Sequence, residues 1–386
     1  MNPFSYGTVV KEPYFFDRRE ELQRIVATLK GGNNLVLYAP RRYGKTSLVM
    51  KAIEELENAG YRCVYFDFMT IYSRESFVEM FVKAILNKQS NWKKALQSFA
   101  EFVKGVKPAF SINDQGNPEF SIEFTEPGVS DNTLDTVIDL PEKLAAGGKP
   151  TIIVMDEFSH QRLPLEQDIQ KLNGENFENL LRSKIQHHQH VNYLFLGSRT
   201  HLLYDMFTNQ NRPFYNSAAT MSIGTLPRDE TINFLTERFS QSGITLNNAT
   251  AARLIEKAGE IPYYIQFLAA EVWQYTVNAT KIVTEDIVDC CADKIIDLKN
   301  DFYFELFDRQ TAYQKKLLKA LAEDGHNIFS GEYAAKFRLS AASTTQKAVA
   351  GLINSGIIEK MDNNYSFNDP FFKYFVLRLS ALRPAA

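Results

Sequence analysis

The chain has 386 residues, 45% hydrophobic and 23% charged, with a formal net charge of −3, the profile of an ordinary soluble protein with room for two or three domains. Its apolar runs fall short of the roughly 18 residues a membrane span needs, and the opening MNPFSYGTVVKEPYFF lacks a basic-then-apolar secretory layout, so a cytoplasmic location with no membrane partner is expected. Residues 311–386 hold ten Lys and Arg against six Asp and Glu on an otherwise acidic body, which permits nucleic-acid binding without demanding it.

The first predicted strand, NLVLYA at 34–39, and the second, YRCVYFDF at 61–68, are short β-branched and aromatic runs; between them Leu48, Val49, Ala52, Ile53 and Leu56 share one helical face. Strand, helix, strand is the signature of a parallel αβ sheet. Residues 107–124 alternate apolar and polar around Gln-Gly-Asn-Pro, which predicts a hairpin inserted into that layout. TIIVMD (151–156) and YLFLGS (193–198) are nearly continuous apolar runs, as central strands covered on both faces require, and TMSIGTL (220–226) reads as a fifth strand. From about 227 to 300 the pattern is helical, with Ile265, Leu268, Ala269, Val272 and Trp273 on one buried face. Three short helices follow in 311–356, then two strands around Asp-Asn-Asn, the layout of a winged helix-turn-helix. Cys63, Cys290 and Cys291 have no metal or redox spacing and read as packing residues of a reducing compartment.

Between the first strand and the first helix, Ala39 to Thr46 reads A-x-x-x-x-G-K-T, one substitution from the Walker A phosphate loop. A residue before proline is pushed into the extended region, where a β-carbon does no harm, so Ala39 before Pro40 is tolerable. Gly44 lets backbone N–H groups approach phosphates at the start of a helix, whose dipole also favours negative charge. Lys45 is expected to reach the β- and γ-phosphates, and the Thr46 hydroxyl to bind Mg²⁺. Ala39, Pro40, Arg41, Arg42, Tyr43, Gly44, Lys45, Thr46 and Ser47 then make up the nucleotide-binding loop.

At the end of the third sheet strand, Asp156 is placed to hold the Mg²⁺ hydration shell, and Glu157, expected to point to the other side, to orient and deprotonate an attacking water. After the next strand, Ser198 is a candidate γ-phosphate sensor, and Arg199 is placed either to sense phosphate or to face a neighbouring subunit. His187, His188 and His190 in QHHQH diverge from a helix end with no carboxylate or cysteine spacing to complete a metal site.

With these residues in place, the chain resembles, over nearly its whole length, the archaeal-type ATPases among the STAND and AAA-like P-loop NTPases. FFDRREEL (15–22) resembles the segment that precedes the phosphate loop there and helps to wall the adenine pocket, which implies a nucleotide contact for Arg18. APRRYGKTSL, MDEF and YLFLGSRTHLL resemble the family's phosphate loop, acidic motif and sensor strand. Gly259, Ile261 and Pro262 resemble the lid motif that contacts nucleotide, and YSFNDPFFKYFV the end of its winged helix. Many relatives carry an arginine where PFYNSA has Asn216 and Ser217, with Arg212 just upstream, so no arginine finger is assigned.

The expected fold is α/β: a P-loop NTPase parallel sheet (1–226), a helical lid (227–304) and a winged helix (305–386). The expected function is an ATP- and Mg²⁺-dependent hydrolase in which nucleotide state switches the winged helix. Two alternatives stand beside it: a DNA- or partner-binding module with structural nucleotide, and an oligomeric ATPase that remodels protein on DNA. The presumed recognition helix offers Ser343, Thr344, Thr345, Gln346 and Lys347, after Arg338, which suits a protein contact at least as well as DNA.

Overall fold

The computed structural model describes residues 2–9, 15–16, 18, 19–89, 106–112, 118–124, 129–146, 148–159, 177–198, 200–361 and 364–381. The chain forms two compact units, one made of Arg18–Ala39 and Lys45–Gly224, the other of Met1–Asp17, Pro40–Gly44 and Thr225–Ala386. It therefore passes between units inside the phosphate loop, on either side of Pro40–Gly44.

The first unit is built on five parallel strands, β1 (Leu35–Tyr38), β2 (Arg62–Asp67), β5 (Thr151–Asp156), β6 (Val191–Gly197) and β7 (Ala219–Ser222), in the order β2-β5-β6-β1-β7. Every residue of β5 is buried, which explains its unbroken apolar run. The predicted hairpin forms from β3 (Val106–Ile112) and β4 (Pro118–Phe124), antiparallel and separate from the main sheet; its turn lies outside the described residues. Around the sheet are α1 (Arg19–Lys30), α2 (Lys45–Asn58), α3 (Arg74–Asn87), α4 (Asp131–Ala145), α5 (Phe177–Ile185) and α6 (Thr200–Thr208). On α2 the predicted stripe is buried at Leu48, Val49, Ala52 and Leu56 and half-buried at Ile53. Helices α3 and α4 begin on serine caps, Ser73 and Ser130, whose hydroxyls accept from the backbone N–H three residues on.

Aromatic rings fill the core beneath the acidic motif. Phe158 is fully buried, its ring 4.8 Å from Phe195, 5.3 Å from Phe68 and 5.5 Å from Phe214. Burying such a ring contributes on the order of 2–3 kcal/mol, enough to pin the backbone one residue before it.

The second unit begins with the lid helices α7 (Arg228–Gln241), α8 (Asn248–Lys257), α9 (Pro262–Thr276) and α10 (Glu285–Leu298). Of the predicted α9 face, Ile265, Leu268, Ala269 and Val272 are buried and Trp273 half-buried. The N-terminal segment joins this unit: Phe4 packs on Phe239 with centroids 4.9 Å apart, and Phe16 stacks on Phe234 at 3.7 Å. After α11 (Asn300–Asp308), the winged helix runs α12 (Ala312–Glu323), α13 (Gly331–Lys336), α14 (Ala342–Asn354), β8 (Ile358–Met361) and β9 (Asn364–Phe367). A closing helix, α15 (Pro370–Ala381), buries Phe371, Phe372, Phe375 and Val376. Asp369 caps it, accepting from the Phe371 and Phe372 N–H groups. No helix among the described residues is long and apolar enough to cross a membrane.

Candidate functional site

The sheet order decides which loops meet. Strand β6 lies between β1 and β5, with Tyr38 beside Gly197 and Met155 beside Phe195. The residues that follow these three strands therefore emerge side by side at their carboxyl ends, where open αβ sheets bind ligands.

Lys45, the first residue of α2, is buried, and its Nζ lies 3.2 Å from Glu157 Oε1 and 3.9 Å from Asp156 Oδ1. Glu157 Oε2 accepts from the Ser198 backbone N–H at 3.1 Å and from the Ser198 hydroxyl at 2.9 Å. Strand alternation predicts that Asp156 and Glu157 diverge. The structure corrects this: Glu157 has left the strand with φ +49°, and both carboxylates approach Lys45. A non-glycine residue there costs about 1–3 kcal/mol, and the buried Phe158 holds it.

Burial works to raise the Glu157 carboxyl, but the Lys45 charge and the two Ser198 bonds outweigh it and hold the group below the usual carboxylate range. Asp156 is fixed at both oxygens. Oδ1 accepts from the Glu157 N–H at 2.8 Å, and Oδ2 accepts from the Tyr65 hydroxyl. Tyr65 is a contact that sequence reasoning missed: it lies 91 positions from Asp156, and only the pairing of β2 with β5 brings the two together. Burial and this bond push its phenol well above the usual range, so it stays a donor.

Thr46, in the first turn of α2, and Asp156 offer hard oxygen ligands. Among the described residues no cluster of three or more His, Cys, Asp or Glu side chains could hold a metal. This donor set fits Mg²⁺, which is commonly held by one or two protein oxygens with phosphates and water completing its shell.

The loop starts from the buried Ala39, whose N–H donates to the Gly197 carbonyl at 3.4 Å. Gly44 has φ +79°, and a β-carbon there would meet no neighbour, so conformation rather than space calls for glycine. Arg41 is exposed and Ser47 buried. Arg18 is buried and bonds to Glu21 at 2.8 Å and the Gly224 carbonyl at 2.6 Å. Arg199 lies outside the described residues. Arg212 is engaged by Glu178 at 2.9 Å and Asp205 at 3.8 Å, both internal partners. The three histidines part company: His188 meets Tyr193 and Asp139, His190 meets Glu142, and His187 meets Gln186.

In the second unit, the tip of the loop is held by the lid and the winged helix. The Arg42 carbonyl accepts from the Tyr263 N–H at 3.2 Å, just after Pro262 opens α9. The Arg42 guanidinium lies over Tyr264 (4.9 Å) and Tyr263 (5.2 Å), and 3.7 Å from Asp369. Tyr43 is buried and donates to Glu359 Oε1 on β8 at 3.2 Å. Burial raises the Glu359 carboxyl to about 7 against the pull of that bond. Gly259, at φ +64°, would bring a β-carbon within 3.1 Å of Pro370, so both conformation and space require glycine where the lid meets α15. On α14, Ser343, Thr344, Gln346 and Lys347 are exposed, whereas Thr345 turns inward to the Tyr313 hydroxyl at 2.7 Å.

No curated protein sequence matches the chain. Its fold is similar to that of a Walker-type ATPase of Pyrococcus abyssi (TM-score 0.63, 18% identity, covering 97% of this chain and 99% of that one). It is also similar to the ORC2 protein of Aeropyrum pernix, solved in ADPNP–ADP complexes (TM-score 0.52, 12% identity, covering 98% and 99%). Residues 301–378 match a probable winged helix domain. Residues 15–268 match the ATPase domain found predominantly in Archaea, and the chain belongs to that family.

Proposed function

We propose that the protein binds ATP and hydrolyses it slowly with Mg²⁺, as a switch whose nucleotide state governs the winged helix. The observation that carries the hydrolytic part is the convergence of Lys45, Asp156, Glu157 and Ser198 at one end of the sheet. The nucleotide complexes of the Aeropyrum protein support the binding part alone.

Without nucleotide, Glu157 is the counter-ion of Lys45. When a triphosphate enters, Lys45 exchanges that carboxylate for phosphate oxygens, while the N–H groups at the start of α2 cradle the phosphates. Thr46 and Asp156 would hold Mg²⁺, which supplies positive charge against the β- and γ-phosphates. Glu157 keeps its Ser198 bonds on Oε2 while Oε1 accepts from a water in line with the γ-phosphorus. Losing the Lys45 charge also raises its basicity. The water oxygen bonds to phosphorus as the bond to ADP breaks, and a proton of the water passes to Glu157.

The switching part is supported by the grip of Arg42 and Tyr43 on Asp369 and Glu359, because the residues that shape the phosphate loop also touch the winged helix. The governed activity is a partner contact or DNA binding. Exposed Lys316, Lys336, Arg338 and Lys347 favour a modest DNA affinity, which should fall steeply with salt.

The decisive experiment is ATP turnover by wild type beside Lys45→Ala and Glu157→Gln. A loss of about 10²-fold or more is expected for Glu157→Gln, with nucleotide binding retained; equal background rates in all three proteins would overturn the catalytic reading.

A further inference from the structure

We infer that Tyr65 is a positioning residue for Asp156: its hydroxyl fixes the carboxylate that faces Mg²⁺ and so sets the metal dependence of nucleotide binding. The inference rests on the nucleotide site proposed above. An aspartate at a strand end rotates freely about its last bond unless both oxygens are engaged. Here Oδ1 takes the Glu157 N–H and Oδ2 the Tyr65 hydroxyl, so the carboxylate plane is set before any ligand arrives.

The phenol reaches across from the neighbouring parallel strand, where Tyr65 pairs with Val154, two residues before Asp156. It leaves each oxygen a lone pair for a metal-bound water. Outer-shell hydrogen bonds of this kind are typically worth about 10–100-fold in metal affinity. The bond also tells against Asp156 being only a strand-end carboxylate facing solvent, since the residue is buried with its side chain oriented by a second strand.

The test uses the full chain and fluorescent N-methylanthraniloyl-ADP, titrated in EDTA and then against MgCl₂. Tyr65→Phe removes one oxygen and keeps the ring, so the fold and the metal-free nucleotide affinity should be retained, with a modestly lower melting temperature in EDTA from the lost bond to a buried carboxylate. The Mg²⁺ midpoint should rise about 10-fold or more. A midpoint that is unchanged, or that falls because the hydroxyl had been competing with the metal, would overturn the role of Tyr65. If wild type binds no nucleotide, or binds it without any response to Mg²⁺, the site reading itself fails and takes this inference with it.

Discussion

Lys45 and Glu157 neutralise each other in a buried setting, and each depends on the other while no phosphate is present. The folded-state Glu157 carboxyl lies below its ordinary value, so its contribution to stability is present above the usual carboxylate range and is lost as pH falls through the folded value. Lys45→Ala removes the largest attraction and leaves burial opposed only by the two Ser198 bonds, so the ionised carboxylate loses much of its support near neutrality. Urea unfolding should show Lys45→Ala destabilised by about 1–3 kcal/mol near neutral pH, with the deficit shrinking as the solution is acidified into the carboxylate range. Adding Glu157→Gln should restore most of the loss. A single variant that is equally unstable at both pH values would mean that the lysine stem, not its charge, carries the effect.

Strand β8 brings a second buried acid to the tip of the phosphate loop, and its linkage runs the other way. Glu359 is raised from the usual 4.5 to about 7, so between those values the folded protein holds a proton that the unfolded chain releases. The contribution is complete below the usual carboxylate value and is lost as pH rises through about 7, a swing of up to about 3 kcal/mol. Glu359→Gln stays neutral and still accepts from Tyr43, so its melting temperature should exceed that of wild type above pH 7, and the two should converge in acid. Identical pH profiles would show that Glu359 titrates alike in the folded and unfolded protein. The same element shows what a sequence can and cannot disclose. The sheet strands, the phosphate loop and the three winged-helix helices each carry a local pattern and form close to where it puts them, except that the fifth strand ends at Ser222, short of the expected Leu226. Helix α15 buries Phe371, Phe372, Phe375 and Val376 on one face. The orientation of Glu157 was hidden because alternation holds only while the strand continues, and a positive φ ends it. The Tyr43–Glu359 bond spans 316 positions, beyond the reach of any spacing rule.

At the scale of the whole molecule, the question is whether nucleotide can supply enough free energy to loosen the grip on the loop tip. The buried Tyr43–Glu359 bond is worth about 1–3 kcal/mol, Arg42 over its tyrosines about 0.5–2, and the part-exposed pair with Asp369 about 0–1. A ligand at a thousand times its Kd supplies about 4 kcal/mol, whereas reversing a 1:99 equilibrium takes about 5.5. The proposed switch should therefore be graded, with a fraction of molecules released. Hydrogen exchange reads such fractions. A non-hydrolysable ATP analogue is expected to speed exchange in β8 and the first turn of α15, while ADP, lacking the γ-phosphate, leaves it near the resting rate. The Tyr43→Phe, Glu359→Gln double variant should exchange fast without ligand and show little further change. Because coupling is reciprocal, it should also bind the analogue about 5-fold or more tightly than wild type. Tighter binding without any change of exchange in β8 would place the restraint in the loop alone; unchanged binding and unchanged exchange would show that the winged helix does not answer to nucleotide.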